Sequence, residues 1–161
     1  MSGQHPGVRR TWRTRLLVEF SHFVLFDFSG SSSLADLHTA TDSHRIGRSG
    51  PGGVLLHATD FDLEADVVVE LHDTDPGTDD HSWTGEFHTD SGTLLLASAT
   101  GAPGDIPVDL PAPGDYRLRA RRLPELIDTS FGDEARCEQW VLCVWPAPRT
   151  PRSPAGVRDP G

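Results

Sequence analysis

Two segments decide the fold: Pro111-Ala-Pro-Gly-Asp-Tyr-Arg-Leu-Arg-Ala120 and Cys137-Glu-Gln-Trp-Val-Leu-Cys-Val-Trp-Pro146. The first opens with a proline and glycine turn, after which apolar and polar residues alternate with the period of two that is typical of a half-buried strand. The second is an apolar run that ends at a proline, which cannot donate a hydrogen bond to a neighbouring strand. Two consecutive strands of this kind predict a β-sandwich or a β-barrel.

The alternation in the first segment separates a core face from an outer face. The predicted outward residues are all basic: Arg117, Arg119 and Arg121. The predicted inward residues are Tyr116, Leu118 and Ala120. Because Tyr116 opens the strand directly after the turn, we expect its large ring to anchor the core.

The rest of the chain repeats the strand pattern. Strand-like alternation or short apolar runs occur over residues 16–28, 54–58, 60–72, 83–88, 93–98 and 108–110. We interpret residues 16–28 as one long strand, and a short helix after Ser33 fits the long 29–53 connection. Helical periodicity does not recur between the strands. The sequence therefore predicts an all-β, antiparallel β-sandwich of about seven to eight strands with long loops and disordered termini.

Charge and composition divide the chain into three parts. Residues 1–15 are basic and residues 149–161 are rich in proline and arginine, so both are predicted to be disordered tails. Residues 16–148 form the predicted sandwich domain, in which seven arginines face 23 acids, a net charge of −16. Such a domain repels nucleic acid and membrane headgroups and favours a basic protein partner. The alternative is that the acidity serves only solubility.

Eight carboxylates form the candidate partner surface. Four lie on the outer face of the predicted 60–72 strand and four in the loop that follows: Asp60, Asp62, Glu64, Asp66, Asp73, Asp75, Asp79 and Asp80. A flat strand presents its acids in a line, and the loop lacks the glycine and the final glutamate of a calcium loop, so neither group predicts a metal site. The strand acids are interpreted first as a solvated face and second as a stripe that faces a partner.

No motif predicts catalysis, a cofactor or a metal ion. The sequence has no Gly-x-Ser-x-Gly turn, no phosphate-binding loop, and no His-x-x-x-His or Cys-x-x-Cys pair. We therefore expect a protein that is not an enzyme and needs no cofactor.

The cysteines and the N-terminal residues bear on the cellular compartment. Within one strand Cys137 and Cys143 would lie roughly 20 Å apart, which is beyond the reach of a disulfide and fits a reducing compartment. Acidic residues interrupt the apolar run after Arg9 and Arg10, so no signal peptide is predicted. The expected location is the cytoplasm.

The order of these features resembles the competence protein J family, small bacterial inhibitors of the DNA-entry nuclease. An early aromatic strand is matched by Ser21-His-Phe-Val-Leu-Phe26, a strand opening by Gly114-Asp-Tyr-Arg-Leu118, and the closing apolar strand by Trp140-Val-Leu-Cys-Val-Trp145. The resemblance covers about residues 16–148, and the chain departs from the family in its charged tails and its glycine-rich 47–53 loop. It implies a non-enzymatic inhibitor or immunity-type protein whose partner is a nuclease.

A second class of function is a module that binds a small molecule or a carbohydrate. In that case Trp83, Trp140 or Trp145 would be exposed and would form a stacking platform for a sugar ring. Exposure of these rings would distinguish the two classes.

Overall fold

The computed structural model describes residues 7–38, 45–59, 63–77, 80–99, 101, 103–128 and 135–148, without the side chains of 124–128 and 135–136. These residues form ten strands and one short helix. In chain order the elements are β1 (Val8–Val18), β2 (His22–Phe26), α1 (Leu34–His38), β3 (Gly47–Gly50), β4 (Gly53–His57), β5 (Leu63–His72), β6 (Ser82–Thr89), β7 (Thr93–Ser98), β8 (Ile106–Asp109), β9 (Gly114–Asp128) and β10 (Ala135–Pro146).

The strands make two five-stranded sheets. Sheet I has the order β1-β5-β10-β9-β6 and sheet II the order β3-β4-β2-β7-β8. All neighbours pair antiparallel except β5 and β10, which are parallel. The predicted all-β sandwich is confirmed, with one parallel pair inside it. That pair places β10, the last strand, in the middle of sheet I.

Apolar side chains from both sheets fill the space between them. The rings of Phe23 in sheet II and Trp140 in sheet I meet edge to face at 5.1 Å. Tyr116 is only 4% exposed, and its hydroxyl donates a hydrogen bond of 2.6 Å to the carbonyl of Ala112. The predicted core role of Tyr116 is confirmed, because its ring is buried while its polar atom has a partner.

The predicted long strand over residues 16–28 is wrong. It is two strands in different sheets, joined by a turn at Phe20 and Ser21, which have positive φ angles of 61° and 64°. Phe20 is consequently 53% exposed rather than on a buried face. The sequence does not indicate this turn, because it contains none of the glycine, asparagine or proline residues that usually mark such a conformation.

The predicted N-terminal boundary at residue 16 also differs from the structure. Residues 8–15, expected to lie in a disordered tail, form most of β1 and pair antiparallel with β5. Val8-Arg-Arg-Thr-Trp-Arg-Thr-Arg15 behaves as a polar edge strand, with Trp12 packed against the core. Residues 8–148 contain eleven arginines and 23 acidic residues, so the net charge of this region is −12, compared with −16 for residues 16–148. Residues 1–6 and the predicted tail 149–161 lie outside the described residues.

Helix α1 lies over the outer face of sheet II, within the connection predicted to contain a short helix. The Ser33 hydroxyl accepts a hydrogen bond of 3.2 Å from the amide of Ala35, as expected of a residue that caps a helix start. Leu37 of the helix packs against Val24 and Phe26. Both faces of β2 are therefore buried.

The connection from β5 to β6 crosses the outer face of sheet I. Strands β10 and β9 lie between β5 and β6, so the chain has to pass over both. Residues 73–77, 80 and 81 are the described part of this connection, and residues 73–77 are named the strap below. The carbonyl of Gly77 accepts a hydrogen bond from Arg119 Nη1 on β9, which places the strap above the sheet.

Candidate functional site

Polar side chains from three adjacent strands meet beneath the strap. The sheet register places Glu70 of β5 beside Cys143 of β10, and Cys143 beside Arg119 of β9. Their strand neighbours Val69, Leu142 and Leu118 point into the core. Because side chains alternate between the faces of a sheet, Glu70, Cys143 and Arg119 form one row on the outer face.

Two members of the row, Glu70 and Cys143, form a compact group of three potential ligands with His72. Glu70 Oε1 lies 3.3 Å from His72 Nε2 and accepts a hydrogen bond of 3.6 Å from the Cys143 thiol. The oxygen, nitrogen and sulfur all lie within 4.8 Å of one another. His72 is 7% exposed and Cys143 is 2% exposed, so the group is shielded by the protein although it lies on the outer face of a sheet.

The thiol of Cys143 is held in its protonated form. Burial, aided by the carboxylate of Glu70, raises the pKa of the Cys143 thiol to about 11, against the opposing effect of Arg119. Arg119 Nη2 donates to Cys143 Sγ over 3.6 Å. Because the thiolate is the nucleophilic form of cysteine, this environment is not that of an activated nucleophile.

A cavity of about 640 Å³ opens beside the group. It is lined by Glu70, His72 and Cys143, by Arg119 and Arg121, and by Thr74, Asp75 and Pro76 of the strap. Two buried donors on this side of sheet I, Arg119 Nε and Trp145 Nε1, have no hydrogen-bond acceptor among the described residues. The residues that line the cavity thus supply three ligand atoms and two cationic side chains, and one of these, Arg119, has a donor with unused capacity.

The two described strand acids, Glu64 and Asp66, lie elsewhere on sheet I and are paired with arginines. Glu64 Oε2 lies 3.3 Å from Arg15 Nη1, and Asp66 Oδ1 lies 3.5 Å from Arg13 Nε. Both arginines belong to β1. The described acids of β5 therefore pair with the N-terminal arginines, because β1, and not β9, lies beside β5.

The predicted loop acids are more exposed. Asp73 forms an ion pair of 2.6 Å with Arg9, whereas Asp75 accepts a hydrogen bond of 2.8 Å from the amide of Gly77. Asp80 is exposed. Asp60, Asp62 and Asp79 lie outside the described residues. The strap therefore carries two of the exposed acids, Asp73 and Asp75, and forms one wall of the cavity.

A separate buried carboxylate, Asp27, fixes the end of sheet II. It accepts hydrogen bonds from the hydroxyls of Thr89 (2.6 Å), Ser91 (2.9 Å) and Ser29 (2.8 Å). Burial alone would raise the pKa of Asp27, but these bonds and the amide of Ser91 outweigh it and hold the pKa well below its usual range. Because both of its oxygens accept hydrogen bonds from neighbouring residues, this carboxylate is structural.

His88 connects two further acids at the same end of the sandwich. Its Nδ1 lies 2.8 Å from Asp115 and its Nε2 lies 3.1 Å from Asp90. The hydrogen bond to Asp115 raises the pKa of His88, with a smaller contribution from Asp90 and an opposing effect of burial. Ser31 donates to Asp90 rather than to His88, so the arrangement lacks the contact between serine and histidine that a catalytic triad requires.

The expected tryptophan platform is wrong for two of its three members. Trp140 is fully buried and Trp145 is 3% exposed. Trp83 is half-buried and packs against the core. Its ring lies so close to Gly47 and Gly85 that an added Cβ atom would approach within 2.7 Å and 2.6 Å. The rings are packing elements, which removes the main support for a sugar-binding face.

Sequence reasoning missed the group under the strap. Glu70 and His72 are two residues apart on one strand face, a spacing that is visible in the sequence. Cys143 is 73 residues away from Glu70. Only the parallel pairing of β5 with β10 brings them together, and the sequence gives no direct sign of that pairing.

Solved structures of two proteins are similar to the chain. One is the crystal structure of ComJ, inhibitor of the DNA degrading activity of NucA, from Bacillus subtilis, with a TM-score of 0.59 and 15% identity over 86% of this chain and 98% of that chain. The likeness is one of fold. The other is described as crocagin biosynthetic gene J, with a TM-score of 0.52 and 16% identity over 86% of this chain and 99% of that chain.

The ComJ comparison confirms, at the level of fold, the resemblance to competence protein J that the sequence predicts. No protein-family model and no curated protein matches the sequence. Among the described residues no helix is long and apolar enough to cross a membrane.

Proposed function

We propose that this chain is a non-enzymatic β-sandwich that binds and inhibits a nuclease, in the manner of an inhibitor or immunity-type protein. The observation that supports this most is the likeness to ComJ, which extends over 98% of the ComJ chain. The buried, protonated thiol of Cys143 and the absence of a serine–histidine contact at His88 agree with a binding role. The cytoplasmic location stays a prediction from the sequence.

The net charge supports a basic partner. Nucleases need cationic surfaces to bind the phosphates of their substrate, and a chain with a net charge of −12 over residues 8–148 is attracted to such a surface over long range. The same charge repels nucleic acid. An inhibitor of this kind would cover the groove that the substrate otherwise occupies.

We place the main contact on the loop acids Asp73, Asp75, Asp79 and Asp80. The strand acids Glu64 and Asp66 already form ion pairs with arginines on β1. These arginines offset part of the negative charge that the acids would present to a nuclease. Among the loop acids, Asp73 forms an ion pair with Arg9, whereas Asp75 and Asp80 are exposed and form no ion pair with an arginine of the described residues. Asp60, Asp62, Glu64 and Asp66 make up the weaker part of the proposed surface.

A DNA-cleavage assay tests the inhibition itself. The full chain is titrated into plasmid degradation by basic DNA-degrading nucleases, with NucA among them, and complex formation is followed by size-exclusion chromatography. We expect stoichiometric inhibition of at least one nuclease and a stable complex with that enzyme. A mobility-shift control with DNA alone should show no binding. If none of the nucleases is inhibited at low salt with the chain in excess, the proposal is contradicted.

Two matched variants test the surface on the inhibited nuclease. Changing Asp73, Asp75, Asp79 and Asp80 together to asparagine should lower the association rate and its dependence on salt, because electrostatic steering is lost. The corresponding amide variant of Asp60, Asp62, Glu64 and Asp66 should have the smaller effect. If both variants associate at the wild-type rate with the wild-type salt dependence, the acidity serves solubility alone.

A further inference from the structure

We propose that Glu70, His72 and Cys143 bind one zinc ion beneath the strap. A carboxylate oxygen, an imidazole nitrogen and a thiolate sulfur are the three kinds of ligand that zinc takes in proteins. The thiol and the imidazole exclude magnesium and calcium as preferred ions, because these bind oxygen ligands. The inference is independent of the proposed inhibition.

The distances between the donor atoms agree with a tetrahedral ion. With zinc bonds of about 2.0 Å to oxygen and nitrogen and about 2.3 Å to sulfur, tetrahedral edges are about 3.3 Å from oxygen to nitrogen and about 3.5 Å from oxygen to sulfur. The structure has 3.3 Å from Glu70 Oε1 to His72 Nε2 and 3.6 Å from Glu70 Oε1 to Cys143 Sγ. The third edge, from the His72 nitrogen to Cys143 Sγ, is at most 4.8 Å and has to shorten to about 3.5 Å when the ion binds.

The charges of the group also balance around a divalent cation. Binding sends the thiol proton of Cys143 to solvent and moves the Nε2 proton of His72, which faces Glu70, through solvent to Nδ1, so that one proton is released in all. The thiolate and the carboxylate then offset the two positive charges of the ion, and the neutral imidazole adds no charge. Arg119 Nη2, 3.6 Å from the sulfur, stays as a hydrogen-bond donor to the thiolate, an outer contact of the kind that tunes metal ligands.

Three protein ligands leave the fourth position open. All three line the cavity of about 640 Å³, together with Arg119 and Arg121. A water molecule fits this position, and so does a small anion whose charge the two arginines would balance. His72 directly precedes the strap, so an ion held here would also fix the start of that segment.

Metal titration of the untagged full chain tests the site. After treatment with a chelator, we expect calorimetry to show one zinc ion per chain, with a rise in melting temperature that grows with zinc concentration. Cobalt is the spectroscopic probe: a thiolate-to-cobalt charge-transfer band and the intense visible bands of a tetrahedral ion should appear. Excess magnesium or calcium should not compete.

Three variants locate the ion. Cys143→Ser should abolish the charge-transfer band, and His72→Gln should weaken zinc binding at least tenfold, in the range seen when ligands or their supports are lost. Cys137→Ser is the matched control, because Cys137 lies on the same strand and its sulfur contacts Arg15 rather than the group. Circular dichroism verifies that each variant is folded.

Several outcomes would overturn the proposal. They are a wild-type chain that gives no cobalt charge-transfer band, a band that survives in folded Cys143→Ser, and a band that disappears in Cys137→Ser. Binding of zinc that is unchanged in folded His72→Gln would equally exclude the assigned ligand set.

Discussion

The two sheets bury their outer faces in different ways. On sheet II, Val24, Phe26, Leu55 and Ala97 pack with Leu37 of α1 and form a second apolar cluster. On sheet I the corresponding face carries arginines, a glutamate and a thiol under a strap, with a cavity between them. The helix leaves a cavity of about 270 Å³ against its sheet, whereas the strap leaves one of about 640 Å³. Of these two faces, sheet I therefore has the larger space for a ligand.

We expect the largest loss of stability when β1 is removed from sheet I. A chain that starts at residue 16 loses most of β1, which exposes the hydrogen-bonding edge of β5 and one side of the sandwich core. We expect a lower melting temperature and aggregation, measured by calorimetry and light scattering. A chain that starts at Gly7 keeps β1 and should melt close to the full chain. The sequence predicts a dispensable tail, and equal stability of both truncated chains would support that prediction instead.

Phe26→Ala tests whether the apolar cluster on the outer face of sheet II contributes to stability as a buried core does. Phe26 is 1% exposed, so truncation should cost about 3–5 kcal/mol of unfolding free energy in chemical denaturation. Phe28 is the matched control, because its ring contacts Phe26 at 5.1 Å but is 53% exposed. Phe28→Ala should cost under about 1 kcal/mol. Equal losses from the two variants would mean that α1 does not seal this face.

Asp27→Asn tests the polar end of sheet II. An amide offers hydrogens to donors that need an acceptor, so we expect a loss of about 1.5–3 kcal/mol at neutral pH. The pKa of Asp27 lies below its unfolded value near 3.8, so the carboxylate stabilises the fold above about pH 4 and loses this effect as the pH falls further. Denaturation across acidic pH should show the wild type and the variant converging. A constant difference between them would contradict the assigned role.

The smallest effect is expected at the ion pairs of sheet I. Arg13 and Arg15 are exposed partners of Asp66 and Glu64, and each such pair contributes about 0.2–1 kcal/mol. The double variant with glutamine at both positions should lose at most about 2 kcal/mol at low salt and less at high salt. Thermal melts in both salts measure this. A large loss that salt leaves unchanged would show that the arginine stems, rather than their charges, support β1.

Local patterns predict the interior of this fold well. The alternation at Tyr116, Leu118 and Ala120 identifies buried positions, and residues 93–98 match β7 at both ends. Two strands are missed for physical reasons. The turn at Phe20 and Ser21 contains no glycine, asparagine or proline, so its positive φ angles are not visible in the sequence. Strand β3, with the sequence Gly-Arg-Ser-Gly, has no apolar pattern and gains its conformation from pairing with β4.

The candidate site is less predictable than the fold. A row of alternating acids is visible in the sequence because its members are close together in the chain: Asp60, Asp62, Glu64 and Asp66. The arginines of β1 that pair with the described members of this row are distant in the sequence, and only the tertiary structure shows them. Glu70, His72 and Cys143 do not stand out, because the pairing that joins them connects distant parts of the chain. Strand order in a sheet depends on the free energy of the whole assembly, and single-sequence periodicity contains no term for it.

The central position of β10 determines when the molecule can fold during its synthesis. Strand β10 separates β5 from β9, and contacts such as Cys143 to Glu70 span 73 residues. Pairings of such long range make folding slow. Sheet I therefore cannot close until β10 has left the ribosome, and until then β5 presents an open edge to other chains. The place of this one strand in the sheet delays the closure of its neighbours until β10 has been synthesised.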